Sequence, residues 1–346
     1  VMVETRIAAR GDASFDHDPD PMEPDMKRFP AFEPRGVIPA TLLAFRDDLS
    51  IDEGETRRHL SHVAAVRGLS AITVNGHASE VHACSFEEQK RILAVSLEEV
   101  GDRLPLVNGV YADGGLEAAR IARMAAAEGA SALLVFPQNS MSMGGQLRPE
   151  MALDYFRRVA GETDLPIILF QYPMGTGLGY PFDTLMRILD QVPSVRAIKD
   201  WCADPALHER HIRTLQSLSR PVNVLTTHSA WLMASLSMGA NGLLSGAGSV
   251  VADLQVALFE AVQAGDLPRA RRINDRLYPM QQAFYAPPFL DMHNRMKECL
   301  AMLGRLDRAV VRPPLMKLPA AEIERLRAAM REAGIAREGA LPMAAE

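Results

Sequence analysis

Cysteine is scarce: Cys84, Cys202 and Cys299 are three in 346 residues, widely spaced and odd in number. That excludes a disulfide framework and offers no zinc-knuckle spacing. Long apolar runs are missing too. No stretch reaches the roughly 18 consecutive apolar residues needed to span a bilayer, and the N-terminus has no basic region followed by an apolar one, so a cytoplasmic protein without a membrane partner is expected. A basic excess is also absent. With 43 acidic against 37 basic residues the net charge is -6, which argues against a nucleic-acid surface, since nothing would release phosphate counterions. Aromatics make up only 6%, yet 48% hydrophobic and 23% charged residues are ordinary globular composition, enough for a sizeable core and a small-molecule site.

What is present is alternation. Residues 1–34, with Asp16-His17-Asp18-Pro19-Asp20-Pro21 and Met22-Glu23-Pro24-Asp25, are acidic, proline-broken and aperiodic, the marks of a flexible arm. Beyond Arg35, β-type runs at 36–41, 71–75, 104–110, 131–136, 166–171, 195–199, 222–226 and 242–245 alternate with amphipathic stretches at 51–66, 85–100, 114–128, 149–161, 181–191, 205–218 and 229–238. Ser85 with Glu88 makes a capping box, and Pro149 and Pro181 suit first helical turns. This α/β order predicts a (β/α)8 TIM barrel over 35–252. The helical, proline-punctuated remainder, 253–346, predicts a final barrel helix, a C-terminal helical extension and a tail.

In such a barrel the chemistry collects where the C-terminal ends of the strands open into loops. Lys199 closes the run Val195-Arg196-Ala197-Ile198-Lys199 and is the only lysine at a predicted strand end. Alternation puts Val195, Ala197 and Lys199 on one face, where an ammonium is poorly solvated; its pKa falls and the nucleophilic amine is freed. The competing reading is a lysine that reaches solvent or pairs with Asp200 or Asp204. Two histidine pairs, His59/His62 and His208/His211, have helical i,i+3 spacing, but neither has a third ligand in sequence, and no metal is expected. Gly175-Thr176-Gly177-Leu178-Gly179 superficially resembles a dinucleotide loop. Its last glycine comes one residue too soon and the segment 171–174 separates it from the strand, so no cofactor is expected.

Together these residues resemble the dihydrodipicolinate synthase/N-acetylneuraminate lyase family of Schiff-base aldolases and lyases, in order from Gly36 to Leu318. Gly76-His77-Ala78-Ser79-Glu80 stands where the family has Gly-Thr-Thr-Gly-Glu, and Phe170-Gln171-Tyr172-Pro173 at its Tyr-Asn-x-Pro segment. Ala197-Ile198-Lys199-Asp200 matches the imine-lysine strand, Gly239-Ala240-Asn241-Gly242-Leu243-Leu244-Ser245 the segment that ends the barrel, and Lys297 with Arg312-Pro313-Pro314-Leu315 the C-terminal helices. The departures carry information. Phe170 and His77 replace the family's proton-relay tyrosine and its assisting threonine, Gln138 and Asn139 replace paired tyrosines, and Gly175 replaces an arginine that grips a distal carboxylate.

The resemblance implies a class I lyase or aldolase in which Lys199 forms an imine with a pyruvate-like 2-keto acid and a carbon–carbon bond is made or broken. It also implies a homo-oligomer, tetramer or dimer. Because Phe170 has no exchangeable proton, His77 is the first candidate for the lost relay and Tyr172 the second. Backbone N–H groups around His77 and Ala78 suit the substrate carboxylate. Phe170, Asn139, His228, Ser245 and Gly246 are the remaining candidates for substrate contact; Glu80 is expected to anchor its loop, and His82 and His293 to be structural. Phe170, Tyr172, Met141 and Met143 suggest a more apolar pocket than a sugar acid would prefer. A housekeeping dihydrodipicolinate synthase is not expected. The alternatives are a 2-keto-3-deoxy acid dehydratase using the same imine, and a non-catalytic barrel that binds a keto acid.

Overall fold

The computed structural model describes residue 29 and residues 32–335. Most of the expected N-terminal arm, and the tail past residue 335, lie outside the described residues. Eight strands, β1 (Gly36–Pro39), β2 (Ile72–Val74), β3 (Leu106–Val110), β4 (Ala132–Val135), β5 (Ile167–Gln171), β6 (Val195–Asp200), β7 (Asn223–Thr226) and β8 (Gly242–Ser245), pair in parallel in the order β1-β8-β7-β6-β5-β4-β3-β2. The parallel bridges Val37–Leu69 and Ala40–Thr73, with the Thr41 N–H donating to Thr73 O at 2.9 Å, bring β1 back to β2 and leave the barrel nearly closed. Gly242 permits the tight β1–β8 seam: a Cβ there would stand 2.2 Å from the Gly36 carbonyl oxygen. Nearly every strand residue is buried, because helices cover the outer face while side chains fill the inside, and this is why the strands read as continuous apolar runs.

The helices between them are α1 (Glu53–Ala64), α2 (Phe86–Val100), α3 (Gly115–Glu128), α4 (Pro149–Ala160), α5 (Phe182–Gln191), α6 (Pro205–Leu215), α7 (Leu232–Ser237) and α8 (Gly248–Gln263). Ser85 and Glu88 form the expected reciprocal cap of α2, and Pro149 opens α4. Pro181 lies one residue outside α5, as its N-cap. The stretch 229–238 is not one helix: a 3-10 turn at Ser229–Trp231 precedes α7. Within α8 the backbone breaks at Val251 (φ −127°, ψ 36°), just before the expected end of the barrel core at residue 252.

Beyond it come α9 (Leu267–Phe284), α10 (Met292–Met302) and α11 (Ala320–Glu332). This extension is tied to the barrel rim by buried charge. Lys297 of α10 bonds the Glu80 carboxylate, the Arg312 N–H donates to Glu80 Oε2 at 2.8 Å, and the Arg312 guanidinium reaches Glu88 Oε1 at 2.6 Å. Glu80, held at φ 53°, thereby fixes the loop after β2 against the extension, as its anchoring role requires.

Candidate active site

At the carboxyl end of β6, Lys199 stands in register with Phe170 of β5 and Leu225 of β7. Its ammonium lies 4.2 Å from the centre of the Phe170 ring and is 7% exposed, at the floor of a cavity that Trp201, Thr227, Gly246, Tyr285 and His293 also line. Burial pushes its pKa down from 10.5 to about 7. No hydrogen-bond or ion-pair partner holds the amine among the described residues. Both acids of the competing reading are committed elsewhere. Asp204 caps α6, accepting from the N–H groups of Ala206 at 2.9 Å and Leu207 at 3.2 Å. Asp200, fully buried, accepts from His208 Nδ1 and His211 Nδ1, each at 2.8 Å, and from the Cys202 N–H at 3.0 Å. Burial alone would raise the Asp200 pKa, but those imidazole bonds hold it far below the carboxylate range. Asp200 is thus a buried anion braced behind the strand, and Lys199 is free to face the cavity.

Opposite the lysine, the loop after β2 turns through a 3-10 segment at His77–Ser79. As its first two residues, His77 and Ala78 have N–H groups with no acceptor inside the turn, and both residues line the cavity. His77 Nε2 and Tyr172 Oη share a hydrogen bond of 3.2 Å, the phenol donating when Nε2 carries no proton. Tyr172 sits just past β5, yet its ring stays 4.5 Å from that of Phe170, so the strand's side-chain direction persists beyond its last residue. Burial, with repulsion from Lys199, pushes the His77 pKa well below 6.5, and burial pushes the Tyr172 phenol up. The pair is neutral near pH 7 and able to pass a proton in either direction.

Other candidates are placed differently. Asn139 is exposed; its N–H donates to Asp113 Oδ1 at 2.7 Å and its amide to the Tyr111 hydroxyl at 2.8 Å, so it positions an aromatic wall. His228 is buried behind the rim, where its Nε2 accepts from the Ala203 N–H at 3.1 Å and its ring stacks on Trp231. Ser245 reaches Ser229 Oγ at 2.8 Å and Tyr285 Oη at 3.5 Å. Asn139, His228 and Ser245 are not on the cavity lining, whereas Phe170, Ala78 and Gly246 are. Met141 lies in a different crevice and Met143 is exposed; the apolar surface comes instead from Trp201, Phe289, Met292 and Leu315. His293, expected from the sequence to be structural, instead lines the cavity: a Cβ on Gly246 would stand 2.7 Å from its Nε2. Burial, helped by Lys199, lowers its pKa to about 3. It arrives on α10, far downstream, and no local pattern announces it.

One cluster among the described residues has the makings of a metal site: Asp200, Cys202, His208 and His228 offer ligand atoms within 4.8 Å of one another. Those atoms are already engaged. His208 also bonds Ser235 Oγ at 2.8 Å, His228 Nδ1 lies 3.2 Å from Thr226 Oγ1, and burial pushes the Cys202 thiol up, away from the thiolate that a metal would need. The cluster fits a hydrogen-bonded brace better than a metal centre. At the glycine run, Gly177 (φ 75°) packs on Ser142 and α5 begins only at Phe182, so no helix N-terminus follows the glycines directly.

Residues 33–333 match the sequence model of the Dihydrodipicolinate synthetase family. The chain belongs to the dihydrodipicolinate synthetase family. Among relatives, the 4-hydroxy-tetrahydrodipicolinate synthase of Methanopyrus kandleri is 26% identical over 89% of this chain and 99% of its own length. That of Methanothrix thermoacetophila is 30% identical over 72% and 82%. Among solved structures, YagE of E. coli K12, a member of the dihydrodipicolinic acid synthase family in complex with pyruvate, superposes with a TM-score of 0.79 at 23% identity, covering 86% of this chain and 98% of that one. The dihydrodipicolinate synthetase family is one of lyases and aldolases, and this chain is an enzyme of that kind.

Proposed function

We propose that this enzyme forms an imine between Lys199 and a pyruvate-like 2-keto acid and makes or breaks a carbon–carbon bond through the resulting enamine. The observation that carries the reading is the unpaired, buried Lys199 amine, with its pKa near 7, facing a cavity floored by strand ends. The His77 and Ala78 N–H groups receive the keto acid's carboxylate. The His77–Tyr172 pair takes the proton from the carbon next to the iminium and returns one to the departing or arriving oxygen, replacing a phenol at position 170. The pyruvate bound in YagE supports the choice of keto acid. Among the described lysines and arginines Lys199 alone lines the cavity, and with Gly175 where an arginine would grip a distal carboxylate, this supports a role other than dihydrodipicolinate synthesis. The small keto acid is the partner, no cofactor is needed, and the subunits associate as dimers or tetramers.

Exchange of pyruvate's methyl protons for deuterium, followed by NMR, tests the reading because exchange requires imine, enamine and relay in turn. Exchange by the native protein and its loss in Lys199→Met are expected; equal exchange by both would refute the imine.

A further inference from the structure

We propose that the acceptor half of the site takes an uncharged aromatic aldehyde, laid against the Trp201–Phe289 stack at the mouth of the Lys199 cavity. This rests on the imine reading above and goes beyond it by naming the second substrate's class. Trp201 and Phe289 lie ring on ring, 5.2 Å apart and 12° from parallel, and Trp201 meets Tyr172 edge-on at 5.3 Å. Both residues line the Lys199 cavity and also an outer vestibule of about 440 Å³, so they form a wall common to the two spaces. Tyr111, Leu290 and Leu315 continue the apolar wall outward. Phe289 is 38% exposed and Leu290 61%, at a place where large apolar side chains gain nothing from water.

Charge decides against the other classes of aldehyde. Among the described residues, neither the vestibule nor the inner cavity is lined by arginine, aspartate or glutamate, and the one lysine is Lys199 itself. Burial holds the imidazoles of His77 and His293 neutral near pH 7, and partial desolvation lowers the pKa of the more exposed His82. The Arg312 guanidinium, three residues before Leu315 in the sequence, is spent on Glu88 and the Leu49 carbonyl. A distal carboxylate would therefore lose water without gaining a cation, and a polyol would lose more hydrogen bonds than this wall returns. An aryl ring loses little and gains offset or edge-to-face contacts.

The chemistry balances. Lys199 condenses with the keto acid and releases one water; the relay removes a proton from the carbon beside the iminium. The enamine carbon attacks the aldehyde carbon, the carbonyl π pair moves onto oxygen, and the relay protonates that alkoxide. Hydrolysis consumes one water, frees Lys199 and releases a 4-hydroxy-4-aryl-2-oxo acid, the sum of the two substrates.

The test supplies the full-length protein with pyruvate and, separately, benzaldehyde, glyceraldehyde and succinic semialdehyde, and quantifies products by mass spectrometry. kcat/KM for benzaldehyde is expected to exceed the other two by about ten-fold or more, and Trp201→Ala to lower the benzaldehyde-to-glyceraldehyde ratio by a similar factor. Phe289→Arg, a change at a partly exposed site, should shift preference toward succinic semialdehyde by supplying the missing cation. If pyruvate exchanges its methyl protons but benzaldehyde is not preferred, the aromatic assignment falls and the imine reading stands. If no exchange occurs, both fall.

Discussion

Lys199 is where function and stability oppose each other. Its amine titrates near 7 when folded and near 10.5 as an ordinary lysine, because burial penalises the ammonium. Between those values the unfolded chain holds more protons, so the lysine's penalty on the fold is full below pH 7, is relieved progressively from pH 7 to 10.5, and is gone above that. Lys199→Met should consequently stabilise the protein at pH 7, by roughly 1–3 kcal/mol in urea unfolding, while abolishing turnover. Imine formation should follow the free amine, falling about ten-fold per unit below pH 7; a rate that keeps rising to pH 9 or 10 would mean that the lysine is solvated. Lys199 itself was legible from its place at the end of an apolar run. Its freedom from Asp200 was not, because the claim of His208 and His211 on that carboxylate is a contact between a strand and the next helix.

At the scale of elements, the strands were readable because each is a short continuous apolar run, and the starts of α2 and α4 because Ser85 and Pro149 leave local signatures. The rim was harder to read. His77 and Tyr172 meet across the barrel mouth from the loop after β2 and the end of β5, and their bond depends on barrel curvature that no local pattern encodes. Asn139, His228 and Ser245 were chosen for their position at strand ends, yet each turns toward a neighbour instead of the cavity. If the pair is the relay, Tyr172→Phe and His77→Ala should each lower kcat by about 10²–10⁴-fold with smaller effects on KM, as steady-state kinetics would show. A change confined to KM would make them binding residues only.

Over the whole molecule, the barrel and the C-terminal helices are one machine. The extension brings His293, Phe289 and Met292 to the cavity, and Lys297 and Arg312 to the carboxylates that hold the loop after β2. Lys297→Met leaves Glu80 a buried, less compensated anion, and denaturant unfolding should show a loss of about 3–5 kcal/mol. Activity should fall as well, because the His77 turn is fixed by the same carboxylate. The extension was visible in the sequence as a helical surplus too long for one barrel helix; its contribution to the site was not, since those contacts join residues that are far apart in the chain.

The central claim is the covalent one, and peptide mass spectrometry after incubation with pyruvate and sodium borohydride tests it most directly. A reduced adduct on Lys199, absent from Lys199→Ala, is the predicted result. Pyruvate bound without any trapped adduct, or an adduct on another lysine, would contradict it.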